Sequence, residues 1–240
     1  MNDFSDKKLD YKQYVVDSKL RYFKPHATKI EKSFAEEISF SLSQNSKFIN
    51  PKFFYDSKGS SLFESICLLP EYYPTRTELD ILKNLESDLL PFLDEQTKLV
   101  ELGSGASVKT RVLIDIFTKL QTKTEYFPID ISEILTESSE QLLKDYDTLH
   151  ITGIIDTYEG GLEFLKNYDE KKNLIIFLGS SFGNFTPNSG KEFLKNIFST
   201  MKSGDLFLIG LDLVKDKNIL ESAYNDSADI TAQFNLNVLS

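Results

Sequence analysis

The sequence has one cysteine and two histidines, and no apolar run long enough to cross a membrane. A single thiol, Cys67, excludes an internal disulfide. Its apolar neighbours in "SICLLP" suit a buried, inert side chain better than a reactive one. His26 and His150 stand alone, which fits surface or packing roles better than a base or a metal ligand, and no metal site is expected. Roughly 20 apolar residues would be needed to span a bilayer, and the opening "MNDFSDKKLD" lacks the apolar core of a secretory signal. Lysine and arginine number 27 against 37 aspartates and glutamates, for a net charge of -10, and no basic stripe is interleaved with aromatics. Neither nucleic acid nor a membrane is expected as a partner, and the compartment is expected to be reducing and cytoplasmic. No feature sets an oligomeric state.

What is present suits an ordinary globular protein: 240 residues, 40% hydrophobic and 27% charged. That is enough chain for one sizeable core carrying an annex. Residues 1–95 show helical patterning, as in "SFAEEISFSLS", broken by an aromatic, turn-rich stretch from Phe48 to Pro74. From 96 to 240 the rhythm changes. Short apolar runs, "KLVELGSG", "EYFPIDIS", "HITGIIDTY", "NLIIFLGSS" and "DLFLIGLDLV", alternate with segments of helical spacing. Val112, Leu113, Ile116, Phe117 and Leu120 share one helix face. Thr186 suits an N-cap, with Pro187 in the first turn of the following helix. Strands buried on both faces and alternating with helices predict an α/β, doubly wound, mostly parallel sheet with an N-terminal helical annex.

In such sheets ligands sit outside the C-terminal strand ends, near the switch in strand order. The first of these strands ends in "ELGSGASVKT", where Gly103 and Gly105 allow a tight turn and a close approach of backbone to ligand. Val108 stands where a phosphate loop needs its second glycine, and the third glycine of a dinucleotide fingerprint is missing. The second strand ends at Asp130, which could accept hydrogen bonds from both hydroxyls of a ribose or cap the next helix. After the third, Asp156, Thr157 and Tyr158 could frame an adenine, or Tyr158 could simply pack. The fourth runs into Gly179-Ser180-Ser181-Phe182-Gly183, the G-x-S-x-G of a hydrolase nucleophile turn, but the histidine of that fold follows its serine, and both histidines here precede Ser181. An adenosine-shaped site without a phosphate grip suits S-adenosylmethionine.

Five stretches in order, "NPKFFYDSKGSSLFESICLLPEYYPTRTELDIL", "LVELGSGASVKTRVLID", "IIFLGSSFGNFTP", "LIGLDLVKD" and "AYNDSADITAQFNLNVL", resemble the histidine-specific Nα-methyltransferases of ergothioneine biosynthesis, from about Asn50 to Leu239. The resemblance implies a class I, Rossmann-like methyltransferase fold and S-adenosylmethionine as cofactor. It also implies methylation of the α-amine of histidine, up to the trimethylated betaine, or of a related amino acid. The wider family includes an enzyme acting on a prenylated tryptophan amine, so the reaction is implied more narrowly than the substrate.

Carried over by motif, Gly103, Lys109 and Asp130 fall at cofactor positions and Thr157-Tyr158 at the adenine edge, where some members have Asp in place of Thr157. Asn184 and Tyr224 match the residues that hold the substrate's carboxylate and amine, and are expected to be the catalytic pair. Tyr55 and Tyr72 match tyrosines that line the amino-acid pocket; the competing reading of "EYYP" is a hydrophobic staple of the annex, a lesser alternative that suits Tyr73 more than Tyr72. The family continues past "NLNVL" with further strands and a segment whose Glu and Ser read the imidazole. With five expected strands of a usual seven, the chain is expected to be a fragment or a shortened relative. Two other functions compete: an α/β serine hydrolase using Ser181, and a cofactor-binding module without turnover.

Overall fold

The computed structural model describes residues 10–26, 33–105, 107–132 and 134–239. Of these, 10–26 and 79–211 form one compact unit, and 33–78 with 212–239 form another.

The first unit holds a sheet of seven strands: β1 (Tyr11–Val15), β2 (Leu20–Pro25), β3 (Lys98–Leu102), β4 (Thr124–Asp130), β5 (Leu149–Ile155), β6 (Asn173–Phe177) and β7 (Leu206–Ile209). Their order is β1-β2-β5-β4-β3-β6-β7. β1 and β2 are antiparallel, and the other neighbours are parallel. From β3 the chain builds outward through β4 and β5, then returns to lay β6 and β7 on the other side. The reversal sets the C-terminal ends of β3 and β6 side by side, where ligands collect in open α/β sheets.

Side-chain alternation decides which face each strand residue serves. Leu99 packs with Leu113, Ile114 and Phe117 of the helix Thr110–Leu120. Val100 and Leu102 enter the opposite layer, with Leu162 and Phe164 of the helix Tyr158–Tyr168 and Phe193 of the helix Pro187–Thr200. The expected helix signals are realised. The Thr186 hydroxyl accepts the Ser189 amide at 3.2 Å, and the stripe Leu113, Ile116 and Phe117 is buried. Val112 and Leu120 lie at its partly buried margins.

The expected N-terminal helical annex is not helical throughout. Residues 11–25 form the β1–β2 hairpin, and the Asp17 carboxylate secures its turn by accepting the amides of Lys19 and Leu20, at 2.7 and 2.9 Å. Leu20, Tyr22 and Phe23 are buried, and β2 pairs in parallel with β5 from Leu20 opposite Ile151. Burying that aromatic face extends the five expected strands to seven. The boundary expected between residues 95 and 96 therefore falls inside the sheet unit.

The second unit is helical. Its helices include Phe34–Leu42, capped by a reciprocal Ser33–Glu36 box, Ser57–Cys67, Lys217–Tyr224 and Ile230–Asn237. Its core gathers Ile66, Tyr72 and Ala223 with Phe63, Leu69 and Phe234. Asp56 caps Ser57–Cys67 through the Gly59 amide at 2.7 Å and also accepts the Asn237 side chain at 2.8 Å, which joins two segments far apart in sequence. No helix among the described residues is long and apolar enough to cross a membrane.

Candidate active site

In the sheet unit, the expected cofactor residues gather at the C-terminal ends of β3, β4 and β5. Gly103 and Gly105 have φ of +73° and +46°, the left-handed region in which a side chain is strained. A Cβ on Gly103 would stand 2.8 Å from the Tyr158 hydroxyl, whereas one on Gly105 would meet nothing within 4 Å. The turn therefore packs tightly on one side and offers open backbone on the other. Asp130 ends β4 beside it and accepts the amides of Gly105, at 3.2 Å, and Ser132, at 2.9 Å. Burial pushes its carboxyl upward, against those hydrogen bonds. Asp130 thus orders the backbone just after β4 and also braces the glycine turn, a contact that the sequence did not suggest.

Thr157 caps the helix Tyr158–Tyr168 by accepting the Gly160 amide at 3.2 Å, and its own amide donates to Asp156 at 2.7 Å. Its hydroxyl is thus committed to the helix. Tyr158 packs edge-on against Phe177 and Phe193, with centroids at 5.5 and 5.9 Å. Its ring serves the core while its hydroxyl closes on Gly103. Lys109 reaches toward the loop after β6, where a Cβ on Gly179 would lie 3.3 Å from its Nζ. In that loop Ser180 adopts φ +56°, and the following 3-10 turn Ser181–Asn184 leaves Asn184 exposed.

Ser181 is not arranged as a nucleophile. Its hydroxyl donates to the Leu178 carbonyl at 3.2 Å. His150 is the second residue of β5, at the strand end opposite the loops just described. His26 follows β2 and is exposed.

In the helical unit, Tyr55, Tyr72 and Tyr224 belong to one aromatic array. Tyr72 meets Tyr224 edge to face at 5.7 Å and 89°. Tyr55 packs on Phe63 and Phe234 at 5.4 and 5.5 Å. Burial pushes the Tyr55 phenol to about 12 and the Tyr72 phenol higher still, so both keep their protons at neutral pH.

Three features escaped sequence reasoning. Glu101, inside β3 and 4% exposed, accepts hydrogen bonds from Tyr126 and, at 2.7 Å, from Thr110. An acid near the end of a buried strand, one residue ahead of Leu102, was the available signal. Tyr11 of β1 donates to Asp156 at the end of β5, a link that depends on the unanticipated hairpin. Phe63 and Phe234 join the tyrosines only because distant helices meet.

Comparison with known proteins bears on the family and the fold. A family model described as histidine-specific methyltransferase, SAM-dependent, matches residues 34–240. The histidine N-alpha-methyltransferase of Mycolicibacterium smegmatis is 38% identical over 205 residues, covering 85% of this chain and 63% of that protein. Ergothioneine biosynthesis protein 1 of Neurospora crassa is 33% identical over 187 residues, covering 77% of this chain and 21% of its own length. The chain thus spans less than two thirds of these relatives. A crystal structure of a protein from Streptomyces avermitilis shares the fold at a TM-score of 0.51 and 10% identity, covering 84% of this chain and 75% of that one.

Proposed function

Because the chain belongs to the SAM-dependent histidine-specific methyltransferase family, we propose that it methylates the α-amine of histidine, or of a related amino acid, with S-adenosylmethionine as cofactor. The observation that carries this reading is the strand-end cradle, in which the Asp130 carboxylate stands beside a glycine turn whose Gly105 faces open space. These residues fit an adenosine. The carboxylate suits ribose hydroxyls, the turn lacks the phosphate-loop pattern, and the buried Ser104 hydroxyl of the same turn has no partner among the described residues.

Gly103, Lys109, Asp130, Thr157 and Tyr158 are assigned to the cofactor. When bound, S-adenosylmethionine supplies an electrophilic methyl group. The amino acid must present a neutral amine, so its neighbours must orient that amine without protonating it. Asn184 and Tyr224 are assigned to that task, and Tyr55 and Tyr72 to the surroundings of the amino acid. Each transfer raises the alkylation of the nitrogen until a permanently charged product forms. Tyrosine faces and amide oxygens accommodate such a cation, and phenols that hold their protons do not compete for the methyl group. A single cysteine, which excludes an internal disulfide, supports a reducing, cytoplasmic setting.

The test is mass spectrometry of histidine, tryptophan and their analogues after incubation with the protein and S-adenosylmethionine. Methylated histidine is the expected product. Cofactor binding without methylation of any amine would favour the non-catalytic module instead.

A further inference from the structure

One polar cluster of the helical unit has no part in the chemistry above. Tyr73, the first residue of the helix Tyr73–Asn84, donates its phenolic hydrogen to Asp212. The Lys215 ammonium donates to the Tyr73 oxygen at 2.9 Å, pairs with Asp212, and lies 4.1 Å from the centre of the Tyr73 ring. Burial would raise the Asp212 carboxyl, but these two donors hold it below the ordinary range.

The cluster's place in the chain gives it a task. Tyr73 directly follows Tyr72, while Asp212 and Lys215 sit on the segment that enters the helix Lys217–Tyr224. The cluster therefore ties together the two segments whose tyrosines meet edge to face. A second tie flanks the ring pair, since Ser227 donates to Glu71 through its hydroxyl at 2.8 Å and its amide at 3.3 Å. Arg76 fixes the backbone before the helix by donating to the carbonyls of Leu69, Pro70 and Tyr72. Tyr72 is buried at 7% exposure, but Tyr224 is 53% exposed, and packing alone leaves such a ring free to turn. Bonds that pin the flanking backbone restrict it at no cost to its accessibility.

We infer that Tyr73, Asp212 and Lys215 are positioning residues, which set the Tyr72–Tyr224 ring geometry and through it the binding of the amino-acid substrate. The inference rests on the proposed assignment of Tyr72 and Tyr224 to the amino acid. A purely structural role is the competing account, and the readouts below separate the two.

Tyr73→Phe keeps the ring and removes both hydroxyl bonds. We expect it to raise the KM for the amino acid about tenfold, the equivalent of ~1.4 kcal/mol, with kcat nearly constant and cofactor Kd unchanged. Lys215→Met should act in the same direction, and Lys215→Arg should restore much of the loss. A lower Tm with unchanged KM in both Tyr73→Phe and Lys215→Met would overturn the inference. A second readout needs no turnover. With 3-fluorotyrosine incorporated, the fluorine resonances of Tyr72 and Tyr224 should shift in Tyr73→Phe, and resonances that stay in place would also overturn it. If the parent protein methylates no amino acid, the proposed function fails while the fluorine comparison still decides whether the cluster orients the rings.

Discussion

The Asp130 carboxylate accepts the backbone amide of Gly105 at 3.2 Å, so the acid at the end of one strand holds the turn at the end of its neighbour. Asp130 therefore braces the loop, and the proposed cofactor site would give it the ribose hydroxyls as well. Asp130→Ala should weaken S-adenosylmethionine binding by roughly 1–3 kcal/mol, the scale of lost charge-assisted hydrogen bonds. Asp130→Asn keeps one accepting oxygen and should lose less. Calorimetry with the cofactor measures both, and equal affinity in all three proteins would remove Asp130 from the site.

Gly103 and Tyr158 make a second coupled pair. Gly103→Ala places a side chain at φ +73° and a Cβ 2.8 Å from the Tyr158 hydroxyl. The left-handed backbone alone should cost about 1–2 kcal/mol. Tyr158→Phe removes the atom in the way, so the double variant should recover the steric part of the loss but not the conformational part. Urea unfolding of the single and double variants reads the coupling. Strict additivity would show that the hydroxyl does not press on the turn.

Glu101 makes stability depend on pH. Burial pushes its carboxyl up to about 7, against hydrogen bonds from Tyr126 and Thr110, from an ordinary value of 4.5. The native state thus holds a proton that the unfolded chain releases as pH rises from 4.5 toward 7. The stabilising contribution is complete below the unfolded value and is lost as pH climbs through the native one. Across that window the loss should total roughly 3 kcal/mol at about 1.4 kcal/mol per pH unit. Glu101→Gln should flatten that part of the profile. Parallel stability curves for the two proteins between pH 4.5 and 8 would place the titration elsewhere.

Asn184 and Tyr224 should affect the amino acid and spare the cofactor. Asn184→Ala and Tyr224→Phe are expected to impair amino-acid binding or turnover while the cofactor Kd stays nearly constant. Loss of cofactor binding with amino-acid affinity intact would reverse the assignment. Ser181→Ala should change neither affinity, and a fluorophosphonate probe should not label the parent protein. Labelling that disappears in Ser181→Ala would revive the hydrolase reading.

The five parallel strands, their helices and the glycine-turn address were legible because burial on both faces demands continuous apolar runs, and strand-helix alternation leaves few topologies. The strand-end positions of Gly103, Asp130, Thr157 and Tyr158 were legible for the same reason, since the pattern locates the strand ends they follow or close. The hairpin of residues 11–25 was not read as sheet, although "YKQYV" and "LRYFKP" carry β-branched and aromatic residues on either side of Asp17-Ser18. Its pairing partner, β5, lies well over a hundred residues away, and local patterning does not say where an aromatic strand will find an open edge.

By itself the sequence determined the fold class, the order of the strand-end motifs and the family, because these depend on local periodicity and on residues that stay next to their own strand. Tertiary structure alone decided that Tyr158 spends its ring on the core and its hydroxyl on Gly103, that Thr157 is committed to a helix cap, and that Glu101 lies buried between Tyr126 and Thr110. It also decided that Tyr73 meets Asp212 and Lys215 across some 140 positions. Hydrogen bonds and burial act over a few ångströms in space, and separation along the chain does not reveal which distant groups folding will bring within that range.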